Sequence, residues 1–530
     1  MVILLIYKFL MKFQFYFKMF LKYILLNPEE KKFIKFAKKL KKNKNENSIL
    51  VEAQESNFFW VKNFFIATYL SDKHKLSIKY YLNRNNLKNY KSFLSNIFFK
   101  IRNNNLFNAS NVKKYNSFCG NEYFSLTQLK KRNININYPK KIDAFVKFKY
   151  RGIIIGDLII DSYLYHIHNF LYENKTQDLL KENNFRLFFN ETINIVDNFH
   201  NFFEKNKVKI LINTYSSYID HGIACRIAEK KKLYIYYACD ADIPFIKKKL
   251  SNHKRNYKLY KKEFFQLKNK EEKIKKALKI LHSRFKGVID ENYKYMKNNH
   301  YKTSDEQIVN NGLKTICIFA HSTTDSLFGF DEMNFYQQKD WIIFTINNLK
   351  NYKKNHNIFL KIHPNETKKG EIFLRNIVKS YDFIKILDKD INNKKIINSD
   401  LVYGVTVHGT IGLELAYYGI PTIYANKGPY TSFSFAQESK SINDYKKKLI
   451  SCLKKKKNKY YKKEAAIFYY MNFMNKKNKE NNKTISNVQK YLFYDQTINL
   501  KKFTNNLNLK NYYKAISYLS KYDSNLGTNN

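Results

Sequence analysis

The chain has 530 residues, with 96 Lys and Arg against 44 Asp and Glu and a formal net charge of +52. The length exceeds one ordinary core and predicts two large domains, while 44% hydrophobic and 17% aromatic residues are ample for globular cores and set aside a disordered chain. Lysine is spread along the whole sequence, and Asn, Ile, Phe and Tyr abound while Gly, Pro and Trp are scarce. That pattern points to A/T-rich codon usage on solvated faces more than to one basic nucleic-acid patch. The five cysteines (Cys119, Cys225, Cys239, Cys317, Cys452) are odd in number and widely spaced, and no pair has metal-ligand spacing. Cys225, Cys239 and Cys317 lie in apolar runs and read as core thiols, which suits a reducing cytosol.

Residues 1–26 (MVILLIYKFLMKFQFYFKMFLKYILL) carry Lys8, Lys12, Lys18 and Lys22 among apolar side chains. Each lysine near the centre of a membrane span costs about 2.5–3.5 kcal/mol, which argues against a span. At helical spacing the four lysines fall on one side, as in a helix lying on an anionic membrane surface. The alternatives are a helix docked on the protein's own core, or a start at Met11 or Met19. No small-residue cleavage site follows, which argues against export and for a cytoplasmic protein at the inner face of the plasma membrane. Residues 31–47 form a lysine-rich linker, so 1–47 are set apart as basic helix and linker.

A βαβ opening follows: a strand at Ser48–Gln54, helical spacing over Phe58–Leu70, and a strand at Leu76–Leu82. Residues 84–140 are rich in Asn and Lys. The run from Lys149 to Ile167 is apolar but interrupted by Gly156-Asp157 and Asp161. A strand at Val208–Ser216, a helix at Asp220–Lys231 and a strand at Leu233–Ala238 make a second parallel unit, and residues 245–300 read as charged helix.

The strand–helix rhythm resets near residue 311, which places a boundary between an α/β domain at 48–310 and another at 311–495, with a helical tail at 496–530 that frays at its end. In the later domain, strands at Thr315–His321, the stretch IFLKIHP, Phe383–Leu387, Leu401–Thr406 and Pro421–Ala425 alternate with helices at Gln338–Tyr352, Lys369–Lys379 and 410–418. The expected fold class is α/β, with two doubly wound, Rossmann-like domains facing a cleft.

Candidate site residues gather at strand ends, where open α/β sheets bind ligands. His363 ends one strand and is followed by Pro364, which fixes the turn; His408, Gly409 and Thr410 sit where a helix begins. His363 is a candidate to donate a proton or hydrogen bond to a phosphate. Gly409 would admit a ligand close to the backbone, and Thr410 would bind phosphate or cap the helix. Glu414 lies one turn on, on the same face as Thr410. His321 and Asp325 follow the first strand of this domain, and Ser432 and Ser434 lie in the loop after the last.

FAHSTTDSLFG, KIHPNE, VTVHGTIGLELAYYGIP and PYTSFSF, with the thinner YRGIIIGDLIIDSY and NTYSSYIDHGIACRIA, resemble the capsular and surface polysaccharide glycosyltransferases of the GT-B type. The His-Pro dipeptide is similar to that of bacterial sialyltransferases and capsular Kdo transferases. The resemblance implies a nucleotide-sugar donor held by the C-terminal domain and a glycan or lipid-linked glycan acceptor held by the N-terminal one. It implies no metal and no further cofactor. Asp240-Ala241-Asp242 has the spacing of a metal motif but follows an N-domain strand and reads as a turn. In this scheme Glu414 would meet ribose hydroxyls, and an N-domain carboxylate would take the acceptor proton.

Asp157 leads the candidate bases, since a bare carboxylate in an apolar run is costly to bury. Asp161 and Asp220 follow, Asp220 also reading as a helix N-cap, and His221 could bind acceptor or phosphate. A UDP-sugar 2-epimerase and a CDP-polyol phosphotransferase are the enzymatic alternatives. A non-catalytic basic protein on membrane or RNA is the third, though no aromatic RNA-binding motif or zinc pattern supports a nucleic-acid partner.

Overall fold

The computed structural model describes residues 36, 43–53, 57–82, 123–125, 136–166, 176–237, 246–247, 259–286, 308, 311–323, 334–335, 337–426, 428, 430 and 432–475. The basic helix of residues 1–26, Asp325, Asp240-Ala241-Asp242 and the tail from 496 lie outside them. Among the described residues no helix is long and apolar enough to cross a membrane. The chain divides into two units, each built on its own sheet.

In the first unit, β1 (Ser48–Glu52), β2 (Ser77–Leu82), β3 (Tyr123–Ser125), β6 (Val208–Asn213), β7 (Tyr234–Tyr237) and β8 (Ile246–Lys247) form a sheet of order β3-β2-β1-β6-β7-β8. All pairs are parallel except β7–β8. Every residue of β1 is buried, as befits a strand covered on both faces. Helices α1 (Asn57–His74), α2 (Gly156–His166), α3 (Asn183–Lys205) and α4 (Tyr218–Lys230) belong to this unit, together with a short antiparallel hairpin, β4 (Lys149–Tyr150) and β5 (Ile153–Ile154).

Helix α3 is not among the elements expected above. Its spacing was present: Phe185, Phe188, Phe189, Val196, Phe199 and Phe203 are all buried along one face. Gly156 opens α2 because a Cβ there would stand 1.6 Å from the Phe145 carbonyl oxygen.

The second unit repeats the plan. Strands β9 (Lys314–Phe319), β10 (His356–Lys361), β11 (Ile384–Leu387), β12 (Leu401–Thr406), β13 (Thr422–Tyr424) and β14 (Ala436–Glu438) pair in the order β11-β10-β9-β12-β13-β14, all parallel. Each sheet thus has the doubly wound order of a Rossmann fold, with its first strand central and neighbours added first on one side and then on the other.

The boundary expected near residue 311 moves. Helices α5 (Tyr260–Phe265) and α6 (Lys270–Phe285) precede β9 but belong to the second unit, which takes in Ser251–Lys479. Their Phe264, Ile274, Leu281 and Phe285 share one apolar cluster with α10 (Ile411–Tyr417) and α12 (Lys459–Tyr469), defined with α7 (Gln338–Leu349), α8 (Lys368–Val378), α9 (Asn393–Asn398) and α11 (Ile442–Ser451). A rhythm of strands marks where a sheet starts, whereas a domain ends where its apolar faces are covered.

Candidate functional site

In the second unit β9 lies between β10 and β12, so the winding reverses at β9. Lys361 pairs with Phe319, and Val405 pairs with Ile318, which brings Thr406 level with Phe319. His321, His363 and His408 each come two residues after the ends of β9, β10 and β12. They therefore share one register across three adjacent parallel strands, at the carboxyl ends where open α/β sheets bind ligands. The ring of His321 stands 6.0 Å from that of His363 and 6.2 Å from that of His408, centre to centre, both edge-on.

Hydrogen bonds from neighbouring loops fix two of these rings. Nδ1 of His363 accepts from the Asn365 N–H at 3.2 Å, so the neutral ring carries its proton on Nε2. The buried Glu366 accepts from the Thr323 N–H at 2.8 Å, the Thr323 hydroxyl at 2.7 Å and the Thr367 N–H at 2.8 Å. It clips the loop after β9 to the loop after β10, and so sets His321 against His363. Glu366 stands inside the KIHPNE motif but is not singled out from sequence, because a carboxylate's service to a distant backbone is a tertiary fact.

Lys361 is buried and donates to the carbonyls of Ile362, Asp388 and Lys389 at 3.1, 2.7 and 2.7 Å. Asn426 orients His408. Its Oδ1 accepts from the Asn334 and Phe335 N–H groups, which fixes the amide, so Nδ2 faces His408 Nε2 at 3.3 Å. Neutral His408 then has its proton on Nδ1.

Burial pulls the pKa of His321 down to about 4, so its ring is neutral near pH 7. Glu414 goes the other way. Burial raises it to about 7, against the hydrogen bond from Asn393 at 3.0 Å and the charges of Arg284 and Lys361. A carboxyl raised from 4.5 in this way contributes stability that is present below pH 4.5 and lost as pH rises through about 7. Glu414→Gln is expected to remove that loss, at most about 3 kcal/mol between pH 4.5 and 8. Urea unfolding of both proteins at pH 5 and pH 8 checks it; equal pH dependence in the two would mean a carboxylate charged throughout.

The remaining residues proposed for this unit divide. Thr410 is exposed at the N-cap of α10, but its side chain makes no capping hydrogen bond. The need for glycine at 409 comes from inside the protein: a Cβ would stand 2.7 Å from Thr406 Oγ1, which itself accepts from the Gly409 N–H at 3.2 Å. Close approach of a ligand is not required to explain it. Ser432 is half-buried in the loop after β13. Ser434 departs from the phosphate-binding expectation, because its hydroxyl donates to the buried Glu464 at 2.6 Å.

In the first unit Asp157 does not stand bare among apolar groups. Arg226 on α4 grips both of its oxygens at 2.5 Å, and also donates to the Ile154 carbonyl. A carboxylate in a bidentate ion pair is a tie between α2 and α4, with a donor on each of its oxygens. That corrects its first place among the candidate bases. Asp161 is buried one turn along α2. Asp220 is not an N-cap: α4 begins at Tyr218 after Ser217, and Asp220 lies in the first turn. His221 meets the carboxylate of Glu52, at the end of β1.

No family model matches the chain, and no curated protein matches it. Solved structures do resemble it. The β-Kdo 2,4 transferase KpsC of Thermosulfurimonas dismutans is 14% identical, over 50% of this chain and 80% of that one, at a TM-score of 0.33. A UDP-GlcNAc 2-epimerase from Neisseria meningitidis, bound to UDP-GlcNAc, is 11% identical over 80% and 95%, at 0.23. The wall teichoic acid polymerase TagF is 11% identical over 88% and 95%, at 0.21. At such scores these likenesses assign nothing to the present chain, whose two-domain α/β fold stands on its own strand order.

The shared strand order of the two sheets brings polar groups together at each point of reversal among the described residues: imidazoles in the second unit, Glu52 and His221 in the first. Among the described residues no group of three or more His, Cys, Asp and Glu side chains is arranged to hold a metal ion. Cys225, Cys317 and Cys452 are buried and outside any disulfide.

Proposed function

We propose that the chain is a nucleotide-sugar-dependent glycosyltransferase of GT-B type, acting without a metal, that builds a capsular or lipopolysaccharide-type surface glycan. The observation that carries this reading is the shared register of His321, His363 and His408 across three parallel strands. Neutral imidazole N–H groups suit a phosphate leaving group, since they donate hydrogen bonds as charge grows on the departing oxygen. The second unit would hold the donor, with Glu414 near the ribose, and the first would hold a glycan or lipid-linked acceptor. A cytoplasmic place at the inner face of the membrane, with residues 1–26 on anionic lipid, belongs to the same reading.

The test is a thermal-shift series on the full-length protein with UDP-GlcNAc, CMP-Kdo and CDP-glycerol. One of these is expected to raise the midpoint, because a ligand at a hundred times its Kd stabilises by about 2.7 kcal/mol. No shift with any of them overturns the reading. Conversion of UDP-GlcNAc to its 2-epimer without acceptor would make the chain an epimerase, and transfer of glycerol phosphate from CDP-glycerol would make it a polyol phosphotransferase.

A further inference from the structure

Basic and apolar side chains concentrate on one part of the second unit. Residues 442–463 hold ten lysines against one acidic residue, Asp444. Over the whole chain basic residues outnumber acidic ones by 96 to 44, a ratio that codon usage alone would reproduce here and does not. Exposed apolar side chains gather on the same elements. Among the described residues nine large hydrophobic side chains are exposed, and five of them stand here: Ile442 and Ile450 on α11, Tyr460 on α12, Phe265 on α5 and Leu259 just before it. Single exposed hydrophobic residues need no explanation, but a gathering of them among lysines does.

These elements are tied together. Lys261 on α5 lies 5.6 Å from the centre of the Tyr460 ring and bonds to Glu464 of α12 at 2.6 Å. Lys463 of α12 pairs with Glu271 of α6 at 3.0 Å. Helix α11 leads into α12 through residues 452–458, and Asn458 caps α12 by accepting from the Tyr460 N–H at 2.9 Å.

On α11, Tyr445 and Leu449 are buried, while Ile442, Lys446 and Ile450 follow at i, i+4 and i+8 along one exposed stripe. On α5, Tyr260 and Phe264 are buried, while Leu259, Lys262 and Phe265 are exposed. Both helices hold the core with one face and turn mixed apolar and cationic side chains outward.

We propose that this face of the second unit, formed by α5, α11 and the start of α12, is a contact surface for an anionic lipid membrane, separate from residues 1–26. The lysine ammonium groups meet lipid phosphates, and their methylene stems lie along the apolar layer beneath. Ile442, Ile450, Leu259 and Phe265 enter the boundary between headgroups and acyl chains, and Tyr460 sits at headgroup level. The aliphatic side chains decide for lipid over nucleic acid. A nucleic-acid strand rewards lysine and stacked aromatic rings, but gives isoleucine and leucine nothing to bury against. The surface goes beyond the transfer reaction and does not depend on it.

Lys448 and Lys463 are held in ion pairs with Asp444 and Glu271, so the exposed Lys446, Lys447, Lys456 and Lys457 are the side chains to test. Full-length protein is mixed with phosphatidylcholine vesicles, with and without phosphatidylglycerol, and binding is measured by flotation over a series of salt concentrations. The wild type is expected to bind the anionic vesicles, and less as salt rises. A variant carrying Lys446→Gln, Lys447→Gln, Lys456→Gln and Lys457→Gln should bind on the order of 10²–10³-fold more weakly, since each lysine at an anionic surface contributes about fivefold. Ile442→Ser with Ile450→Ser should weaken binding about tenfold and leave the salt slope unchanged. A control takes four exposed lysines elsewhere, Lys205, Lys209, Lys314 and Lys385, to Gln. It has the same net charge as the first variant and should bind like the wild type. All these side chains are exposed, so thermal midpoints should stay at the wild-type value.

If the wild type ignores anionic vesicles, or the first variant binds them as tightly as the wild type, the surface assignment is overturned. It is also overturned if the control loses as much, because net charge then carries the binding. Loss of affinity for an RNA oligomer without loss for vesicles would give the face to nucleic acid instead. Donor thermal shifts read in the same preparations bear on the proposed function alone.

Discussion

Replacing His363 with alanine is expected to lower turnover about 10²-fold or more, as loss of one transition-state donor does. The Asn365 N–H bonded to Nδ1 leaves the proton of the neutral ring on Nε2. Donor affinity should change much less. On the proposed function, the contribution of this N–H would rise as charge develops on the leaving oxygen. His363→Gln, which restores an N–H of similar reach, should recover part of the rate. Initial rates and donor thermal shifts in one preparation check both statements. A wild-type rate in His363→Ala removes this residue from the mechanism, and an equal loss in affinity and rate would make it a binding residue only.

Glu464→Ala is expected to destabilise the protein by about 3–5 kcal/mol, because the donors it holds are left unpaired at about 1–3 kcal/mol each. Glu464 is fully buried on α12. Its Oε2 accepts from the Ser434 N–H at 2.8 Å, the Ser434 hydroxyl at 2.6 Å and the Phe435 N–H at 3.3 Å, while its Oε1 holds Lys261 of α5 at 2.6 Å. The variant leaves three donors around a small cavity. Lys261 is partly exposed and can turn to water in that variant, whereas Lys261→Met leaves the buried carboxylate without its counter-charge and should also cost several kcal/mol, offset in part by the three donors that Glu464 keeps. Denaturant unfolding of the two variants gives the comparison. A loss below about 1 kcal/mol in Glu464→Ala would show that the loop after β13 is held by packing of Tyr430, Phe433 and Phe435.

Much of the frame was legible because it depends on short-range rules. Apolar runs such as ILVE and TICIF are what parallel strands require when both faces are covered, and helical spacing between them leaves few topologies. The positions of His321, His363 and His408 could be read for the same reason, since a histidine just past an apolar run falls at a strand end. Their common register could not be read, because register is a property of paired strands.

By itself the sequence determined the strand and helix rhythm of both domains and the residues that stand at the strand ends. Tertiary structure alone decided which polar groups are engaged. Asp157 looks exposed to its own apolar neighbours until Arg226 arrives from another helix, and Ser434 looks available until Glu464 arrives from a segment thirty residues away. Glu52 looks like the end of a strand until His221 closes on it. The reason is physical: a side chain's charge state and free lone pairs are set by what lies within a few ångströms in space, and those neighbours come from distant parts of the chain.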